Sequence, residues 1–493
     1  MSEKKNYIAV DLGAESGRLM LGTLDGNTLE LREAHRFSNG PLEQGGSLRW
    51  DFPRLIMEIR RGLRECARMA EGEIAGIGVD SWGVDFGLLD ADGKLIENPY
   101  HYRDARTEGM FEEAFKRVPK REVYEATGLQ FMRLNTLYQV LAMHLAGDPA
   151  LEKADKLMFM ADLVSHELCG EVFAEYSLAS TSQMMNMRTG EWSRELLERL
   201  DLPAGILPKV VPSGTVLAPL AEEIAADAGM NRASVIAVAS HDTGCAVAAV
   251  PAAGTDWAYI SSGTWSLIGV ELKTAAINDA AFENSFTNEG GVEGTIRFLK
   301  NVGGLWLVQE CRREWQGEGD DYSYAELQQM AERGRPFAAR IDPDQEPFLA
   351  PGDMPEKINQ YLASTGQERV EDRGTMVRAI LESLAFTYRS VIENMEAACG
   401  RGVKVVHIVG GGSQNELLNQ FTANATRRPA VTGPIEATAI GNILIQAKAT
   451  EQVTSLDEIR EIVGASFPTQ RCNPTERDLW SEEYRNWCKV VRG

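Results

Sequence analysis

The 493-residue chain contains neither G-x-x-x-x-G-K-[ST] nor G-x-G-x-x-G. A P-loop or a dinucleotide fold therefore lacks its fingerprint, and any phosphate site must be of another kind. Positive charge is also short. Fifty Lys and Arg against 72 Asp and Glu leave a net charge of -22, which argues against nucleic acid or an anionic membrane as the main partner, because either needs a basic patch. An anionic small substrate stays compatible. The seven cysteines (Cys66, Cys169, Cys245, Cys311, Cys399, Cys472 and Cys488) are odd in number, scattered and never in C-x-x-C, so neither a disulfide framework nor a zinc site is expected and a reducing cytoplasm fits best. The six histidines show no H-x-x-x-H spacing. Long apolar runs are missing too: Val235 to Pro251 is interrupted by Ser240-His241-Asp242-Thr243 and cannot be a membrane span, and Met1 to Asn6 runs into a strand without the apolar segment of a secretory signal. With 44% hydrophobic and 25% charged residues, the composition is that of a soluble globular protein of roughly two to four domains.

Glycine-rich turns are what the chain has instead. One pattern occurs twice, 250 positions apart: Tyr7-Ile-Ala-Val-Asp11-Leu-Gly13-Ala14-Glu15-Ser16-Gly17-Arg18 and Trp257-Ala-Tyr-Ile-Ser261-Ser262-Gly263-Thr264-Trp265-Ser266-Leu-Ile268. Each copy is an apolar strand that enters a turn and leaves as another strand. Backbone N–H groups in such a turn can converge on an anion, because glycine lets the chain approach without a Cβ in the way. Two such turns predict a clamp on one polyphosphate, built by duplication, with the active site in the cleft between the halves.

Residues 7 to 37 read as three short strands, Asp51 to Glu71 as a helix with apolar residues near helical spacing, and Ile74 to Asp80 as a buried strand. The second half begins the same way after Ala253-Gly254, with strands Trp257 to Ile260 and Ser266 to Leu272 and a helix from Gly304 to Trp315. Met376 to Ala398 carries the apolar stripe of a helix packed on a sheet and stops at Gly400. Val403 to Val409 is then a buried strand and Asn415 to Ala425 a helix, around a mostly parallel core. The helix-rich segment 105 to 235 has no counterpart in the second half, and inserts of that kind commonly build a substrate pocket or lid.

Asp11 ends a buried strand just before Gly13. It either holds Mg²⁺ through water beside the phosphate turn or simply starts a tight turn. Asp242 lies at the end of an apolar run in Ser240-His241-Asp242-Thr243, where it serves a site or caps a helix beginning near Cys245. Val79 to Phe86, with Trp82, Gly83 and two acids, reads as a sugar-binding strand end or as a β-bulge with a core tryptophan. His101 to Arg106 reads as a substrate contact or as structural ion pairs, and His407 as a core histidine. Gly410-Gly411-Gly412-Ser-Gln-Asn415 is the strongest single motif, since three glycines let a base and ribose lie against backbone. Pro434 to Asn442 opens a helix whose small residues suit close packing on a sheet.

Taken together, Asp11-x-Gly13, Ser262-Gly263-Thr264-Trp265, Gly410 to Asn415 and Glu436-Ala-Thr-Ala-Ile-Gly441 resemble the FGGY carbohydrate kinases of the actin, hexokinase and 70-kDa heat-shock superfamily, over nearly the whole chain. The resemblance implies an α/β fold of two ribonuclease-H-like domains around a central cleft, 1–245 on the sugar side with the insert and 246–493 on the nucleotide side. The blocks Asp11 to Arg18, Trp82 to Phe86, Tyr102-Arg-Asp104, Ser240 to Thr243 and Leu299 to Gln309 resemble family members that phosphorylate the 1-hydroxyl of L-rhamnulose. What this implies is ATP bound by Ala14, Glu15, Ser16, Gly17, Arg18, Thr264, Gln309, Gly410 and Gly411, and sugar bound by Gly83, His241, Asp242, Thr243 and Asn301. Asp242 is then the general base, and Mg²⁺, with Asp11 as its protein partner, bridges the β- and γ-phosphates. The expected partners are a small sugar and ATP, without nucleic acid or membrane, for a cytoplasmic monomer or small homo-oligomer. Two rival readings are a kinase of the same fold for L-fuculose, L-ribulose or xylulose, and a non-catalytic ATP-driven chaperone or filament relative.

Overall fold

A computed structural model describes residues 4–491; residues 1–3 of the leading segment and residues 492–493 lie outside the described residues. The chain forms two compact units. Unit 1 comprises Met1–Ala253, Glu271–Phe298 and Ala437–Phe467, and unit 2 comprises Gly254–Val270, Leu299–Glu436 and Pro468–Gly493. Two segments from the second half of the sequence thus belong to unit 1.

Unit 1 is built on β1 (Lys5–Leu12), β2 (Ser16–Asp25), β3 (Thr28–Ser38), α1 (Phe52–Met69), β4 (Ile74–Ser81), β5 (Thr215–Pro219) and β6 (Ser234–Ala237), followed by α2 (Asp242–Ala248). The sheet order is β5-β6-β4-β1-β2-β3. β1 pairs antiparallel with β2 and parallel with β4, with Asp11 opposite both Arg18 and Asp80. Burial on both faces accounts for the near-continuous apolar run of β1. α1 starts where the Asp51 carboxylate accepts the Arg54 N–H, 3.2 Å, and it buries Phe52, Leu55, Ile59, Leu63 and Cys66, the stripe its spacing predicts.

Unit 2 repeats the scheme with β7 (Trp257–Ser262), β8 (Trp265–Leu272), β9 (Ile296–Gly303), α3 (Trp306–Gly317), α4 (Arg373–Cys399), β10 (Val405–Val409), α5 (Glu416–Thr426), β11 (Ala430–Thr432) and β12 (Gln470–Cys472). Six strands of its sheet run β9-β8-β7-β10-β11-β12. Counted along the chain, the six strands named in unit 2 lie third, second, first, fourth, fifth, sixth, and those of unit 1 lie third, second, first, fourth, sixth, fifth. The core is parallel only through β1, β4 and β6 in unit 1 and through β7, β10 and β11 in unit 2; the flanking pairs are antiparallel. Both sheets are therefore mixed, and the expectation of a mostly parallel core holds only at their centres. α4 begins on the Asp372 carboxylate, which accepts the Thr375 N–H at 2.8 Å, and ends at Gly400 in the left-handed region, φ 67°, where glycine is favoured. α3 starts at Trp306 rather than Gly304, where a Cβ would stand 2.7 Å from the Thr264 carbonyl and only glycine fits.

The helix Ala437–Ala449 lies in unit 1. A Cβ at Gly441 would fall 1.9 Å from the Cys245 carbonyl oxygen of α2, so only glycine lets these two helix backbones touch. Small residues at this site are structural, as the sequence pattern suggests. Among the described residues no helix is long and apolar enough to cross a membrane, and all seven cysteines are unpaired.

Candidate functional site

β6 ends in the loop that carries Ser240 to Thr243, and a buried polar network fixes its path. The Glu175 carboxylate, fully buried, accepts the Ser240 N–H at 3.0 Å, the Leu178 N–H at 3.0 Å and the hydroxyls of Ser177 and Ser213, both at 2.5 Å. Ser177 Oγ in turn accepts the His241 N–H, 3.1 Å. Burial pushes the Glu175 carboxyl up, against these hydrogen bonds. His241 is the N-cap of α2, and Asp242 is its first residue. Asp242 thus lies inside the helix, and its Oδ1 accepts the N–H and hydroxyl of the next residue, Thr243, at 2.5 and 3.1 Å, while His241 Nε2 stands 3.5 Å away. Its Oδ2 takes no partner among the described residues, and 35% of the side chain is accessible. One oxygen is anchored and the other is open.

The imidazole of His241 is held from behind. Its Nδ1 lies 3.2 Å from Glu289 Oε2 and 3.0 Å from Arg297 Nη2, and the guanidinium, fully buried, also donates to the Gly290 carbonyl at 2.8 Å. Burial pushes the Glu289 carboxyl up, but Arg297 and His241 outweigh it and hold it below the usual carboxylate range.

Three carboxylates of unit 1 act on one another electrostatically. Burial, and then Asp11, pushes Asp80 well above the carboxylate range, opposed by Asn442, whose amide donates to Asp80 Oδ2 at 2.6 Å. Asp80 Oδ1 is buried without a hydrogen-bond partner. Asp242 is raised by burial, against His241, with a further push from Asp11. Asp11 itself receives Arg18 Nε at 2.9 Å and Nη2 at 2.7 Å, both on Oδ2. Arg18, a nucleotide residue by resemblance, thus serves first as the counter-ion of the carboxylate assigned to the metal.

The Trp82 segment is assembled differently from its sugar-binding reading. Both of its acids are fully buried. Asp85 Oδ2 accepts the indole N–H groups of Trp50 and Trp82, at 2.7 and 3.0 Å, and the Tyr102 N–H at 3.1 Å, while Oδ1 accepts Gln139 Nε2 at 3.1 Å. Burial pushes it up to about 6, against these bonds. With its oxygens consumed, Asp85 is not available to seek sugar hydroxyls; it holds the tryptophans. Phe86 is buried in the two-stranded antiparallel sheet of Phe86–Leu89 with Lys156–Phe159. Gly83 packs against Thr181, 3.0 Å from where a Cβ would sit. The ion-pair reading of His101 to Arg106 fits better than the substrate one: Asp104 accepts the Leu48 N–H at 2.8 Å, and Arg106 donates to Gln139 and lies 3.8 Å over the Tyr100 ring. His407 is buried in β10.

The two glycine turns close alike but differ in length by one residue, four between Leu12 and Gly17 and three between Ser262 and Ser266. Gly13 N–H donates to Ser16 O at 2.8 Å and Gly263 N–H to Trp265 O at 2.9 Å. Each glycine amide therefore closes its own turn, and anion donors must come from the residues that follow, Ala14 and Glu15 in one and Thr264 in the other. Gly17 is buried because the Phe37 ring lies 2.3 Å from a Cβ there. In unit 2, the Trp306 N–H donates to Thr264 O at 3.2 Å, which seats Thr264 at the start of α3, whose first turn carries Gln309. Asn301 is half-buried on β9 in the same unit. Of the glycine run, Gly410 has φ 83° and Gly412 packs on Ser262, 2.1 Å from Oγ to a Cβ, whereas Gly411 meets nothing within 4 Å. Gly411 is the one of the three that the fold itself does not require.

Comparison with known proteins agrees with this arrangement. The N-terminal domain of the FGGY family of carbohydrate kinases matches residues 6–249 and the C-terminal domain matches residues 258–450. The rhamnulokinase of Bacteroides thetaiotaomicron is 45% identical over 489 residues, covering 99% of this chain and 100% of its own. The chain belongs to the FGGY family of carbohydrate kinases. The rhamnulokinase of Bacillus subtilis is 38% identical over 96% of both chains. Among solved structures, ligand-bound xylulose kinase of Lactobacillus acidophilus superposes with a TM-score of 0.84 at 18% identity, over 99% of this chain and 98% of that one. Plasmodium falciparum glycerol kinase with ADP gives 0.80 at 13% identity, over 99% of each. These structural likenesses establish the two-domain α/β fold of sugar kinases.

Sequence reasoning missed Glu175, Glu289, Arg297 and the pairing of Asp80 with Asn442. The one local signal was a polar residue within an otherwise apolar strand, as in Ile296-Arg297-Phe298. The glycine run yields a contrast to test. Gly412→Ala should lower unfolding stability by about 1–3 kcal/mol by forcing Ser262 aside, whereas Gly411→Ala should stay within about 0.5 kcal/mol of the parent yet raise the KM for ATP. Denaturant titration and initial-rate kinetics on both variants check this; equal stability losses would contradict it.

Proposed function

We propose that the chain transfers the γ-phosphoryl group of ATP to the 1-hydroxyl of L-rhamnulose. The observation that carries the reading is Asp242, anchored through Oδ1 and open at Oδ2, in a chain that aligns end to end with rhamnulokinases at up to 45% identity. The open oxygen accepts the proton of the attacking hydroxyl, and Thr243 and His241 hold the carboxylate in place during that step. Gly83, His241, Asp242, Thr243 and Asn301 bind the sugar. Ala14 to Arg18, Thr264, Gln309, Gly410 and Gly411 bind the nucleotide.

The acidic setting suits Mg²⁺. Asp11, Asp80 and Asp242 crowd one sheet edge with Arg18 as counter-ion, and Asp80 Oδ1 is left unpaired. Among the described residues no three His, Cys, Asp or Glu side chains converge into a metal-binding group, so Asp11 would hold the ion through water while phosphate oxygens supply the inner ligands. When bound, Mg²⁺ neutralises charge that develops on the phosphates. The protein's own part is positioning, because a loose phosphoryl transition state leaves little covalent work to side chains.

Substrate choice rests on the alignment with rhamnulokinases and requires an apolar pocket for the methyl end of a 6-deoxy ketose. Such a pocket rejects an added hydroxyl by only about 10²-fold, whereas losing a hydrogen-bonded hydroxyl costs more. Cytoplasmic residence, from the unpaired cysteines, and a monomeric or small homo-oligomeric state complete the proposal.

Asp242→Asn keeps the shape and removes the base, so kcat should fall roughly 10²- to 10⁴-fold with ATP binding kept; a variant with near-parental turnover would remove Asp242 from this role. Because burial raises Asp242, kcat/KM should also be lost as pH falls through a value above the ordinary carboxylate range. In a ketose panel read by coupled ADP detection, L-rhamnulose should lead in kcat/KM, with L-fructose detectably used and glycerol inert. A lead of about tenfold for L-fuculose, L-ribulose or D-xylulose would leave a sugar kinase of this family with a different substrate.

A further inference from the structure

The helix-rich insert of unit 1 forms one wall of a groove of about 1130 Å³, which contains none of the residues assigned above to sugar or nucleotide. Its lining carries four basic side chains, Arg188, Arg194, Lys209 and Lys273, and one carboxylate, Glu191. All four basic residues are exposed. In a chain of net charge -22, a basic side chain finds a carboxylate easily, and most arginines here have one. Arg194, Lys209 and Lys273 form no ion pair among the described residues, and Arg188 spends its guanidinium on the carbonyls of Glu125 and Ile277. Four cations facing one acid in an acidic protein raise the local potential and concentrate anions. The indole of Trp192, tied to the Pro208 carbonyl at 2.8 Å, and the ring of Tyr176 add apolar faces to the same walls, as suits a small ligand with a carbon skeleton.

We propose that this groove is a second ligand site, for a phosphate-bearing small molecule such as a sugar phosphate. The groove is also connected to the catalytic loop. Ser213, on its wall, donates to Glu175 Oε1 at 2.5 Å, and the other oxygen of Glu175 holds Ser240 and, through Ser177, His241. A ligand that moves Ser213 therefore acts on the backbone that presents Asp242. The proposal goes beyond the phosphoryl-transfer reading and stands whichever sugar is phosphorylated.

The test is calorimetric titration of the full chain, with the nucleotide site saturated by ADP, using inorganic pyrophosphate and, separately, glucose 6-phosphate. The parent should bind in a salt-sensitive way. The triple variant Arg194→Gln, Lys209→Gln, Lys273→Gln, changed only at exposed positions, should bind roughly tenfold or more weakly while its ligand-free kcat is unchanged. Tighter binding of glucose 6-phosphate than of pyrophosphate would assign the sugar phosphate; the reverse order would assign a phosphate site without sugar recognition and overturn that choice of ligand. Equal affinity in parent and triple variant, no binding by the parent, or displacement by L-rhamnulose would overturn the second site itself. A Ser213→Ala variant that still binds but no longer changes KM for the sugar would support the link to the loop, and an unaltered KM response would refute it.

Discussion

The arrangement of unit 1 depends on a single backbone contact. Because residue 441 has no side chain, the helix Ala437–Ala449 lies directly on α2 at the Cys245 carbonyl. That approach brings Asn442 and Gln446 onto the sheet, where glycines at 76 and 78 leave room for them. Asn442 then donates to Gly78 O and to Asp80, and Gln446 donates to Ile8 O at 2.9 Å and to Asn442 Oδ1 at 2.6 Å. A buried polar seam of this kind fixes one register, since any shift would strand its members unpaired. It supports the ends of β1 and β4, with Asp11 and Asp80, and the start of α2, with Asp242.

Negative charge is then used in two ways. Asp85 and Glu175 are buried acids whose oxygens are occupied by protein donors, and they act as fixed points that hold Trp50, Trp82 and the catalytic loop. Asp242 differs in having an unpaired oxygen and partial exposure. Asp80 also leaves one oxygen unpaired but is fully buried, so Asp242 combines a spare lone pair with exposure. Glu289 and Arg297 add a third layer, holding the His241 ring from behind.

Much of this was legible along the chain. The duplicated strand-turn-strand pattern, the stripe of α1, the stop at Gly400 and the polar tetrad at 240–243 are local signals, and local signals survive in a sequence. What was not legible depends on partners far apart. Asn442 meets Asp80, and Ser240 meets Glu175, across separations that no periodicity reports. The glycines were read as clearance for a ligand, yet Gly17 and Gly412 are small to admit Phe37 and Ser262, and Gly13 and Gly263 spend their amides on closing their turns. Asp85 looked like a ligand-seeking acid because a sequence does not show four N–H groups converging on it. The parallel centre of each sheet was visible as unbroken apolar strands, and its first antiparallel pair as the strand-turn-strand pattern itself.

The central claim is that the chain transfers the γ-phosphoryl group of ATP to the 1-hydroxyl of L-rhamnulose. Phosphorus-coupled NMR of the product formed from L-rhamnulose and ATP reports the position of the new ester bond directly. The account predicts a phosphorus signal coupled to the C1 methylene protons, formed with equimolar ADP. Coupling to any other carbon, or ADP release without a sugar ester, would contradict it.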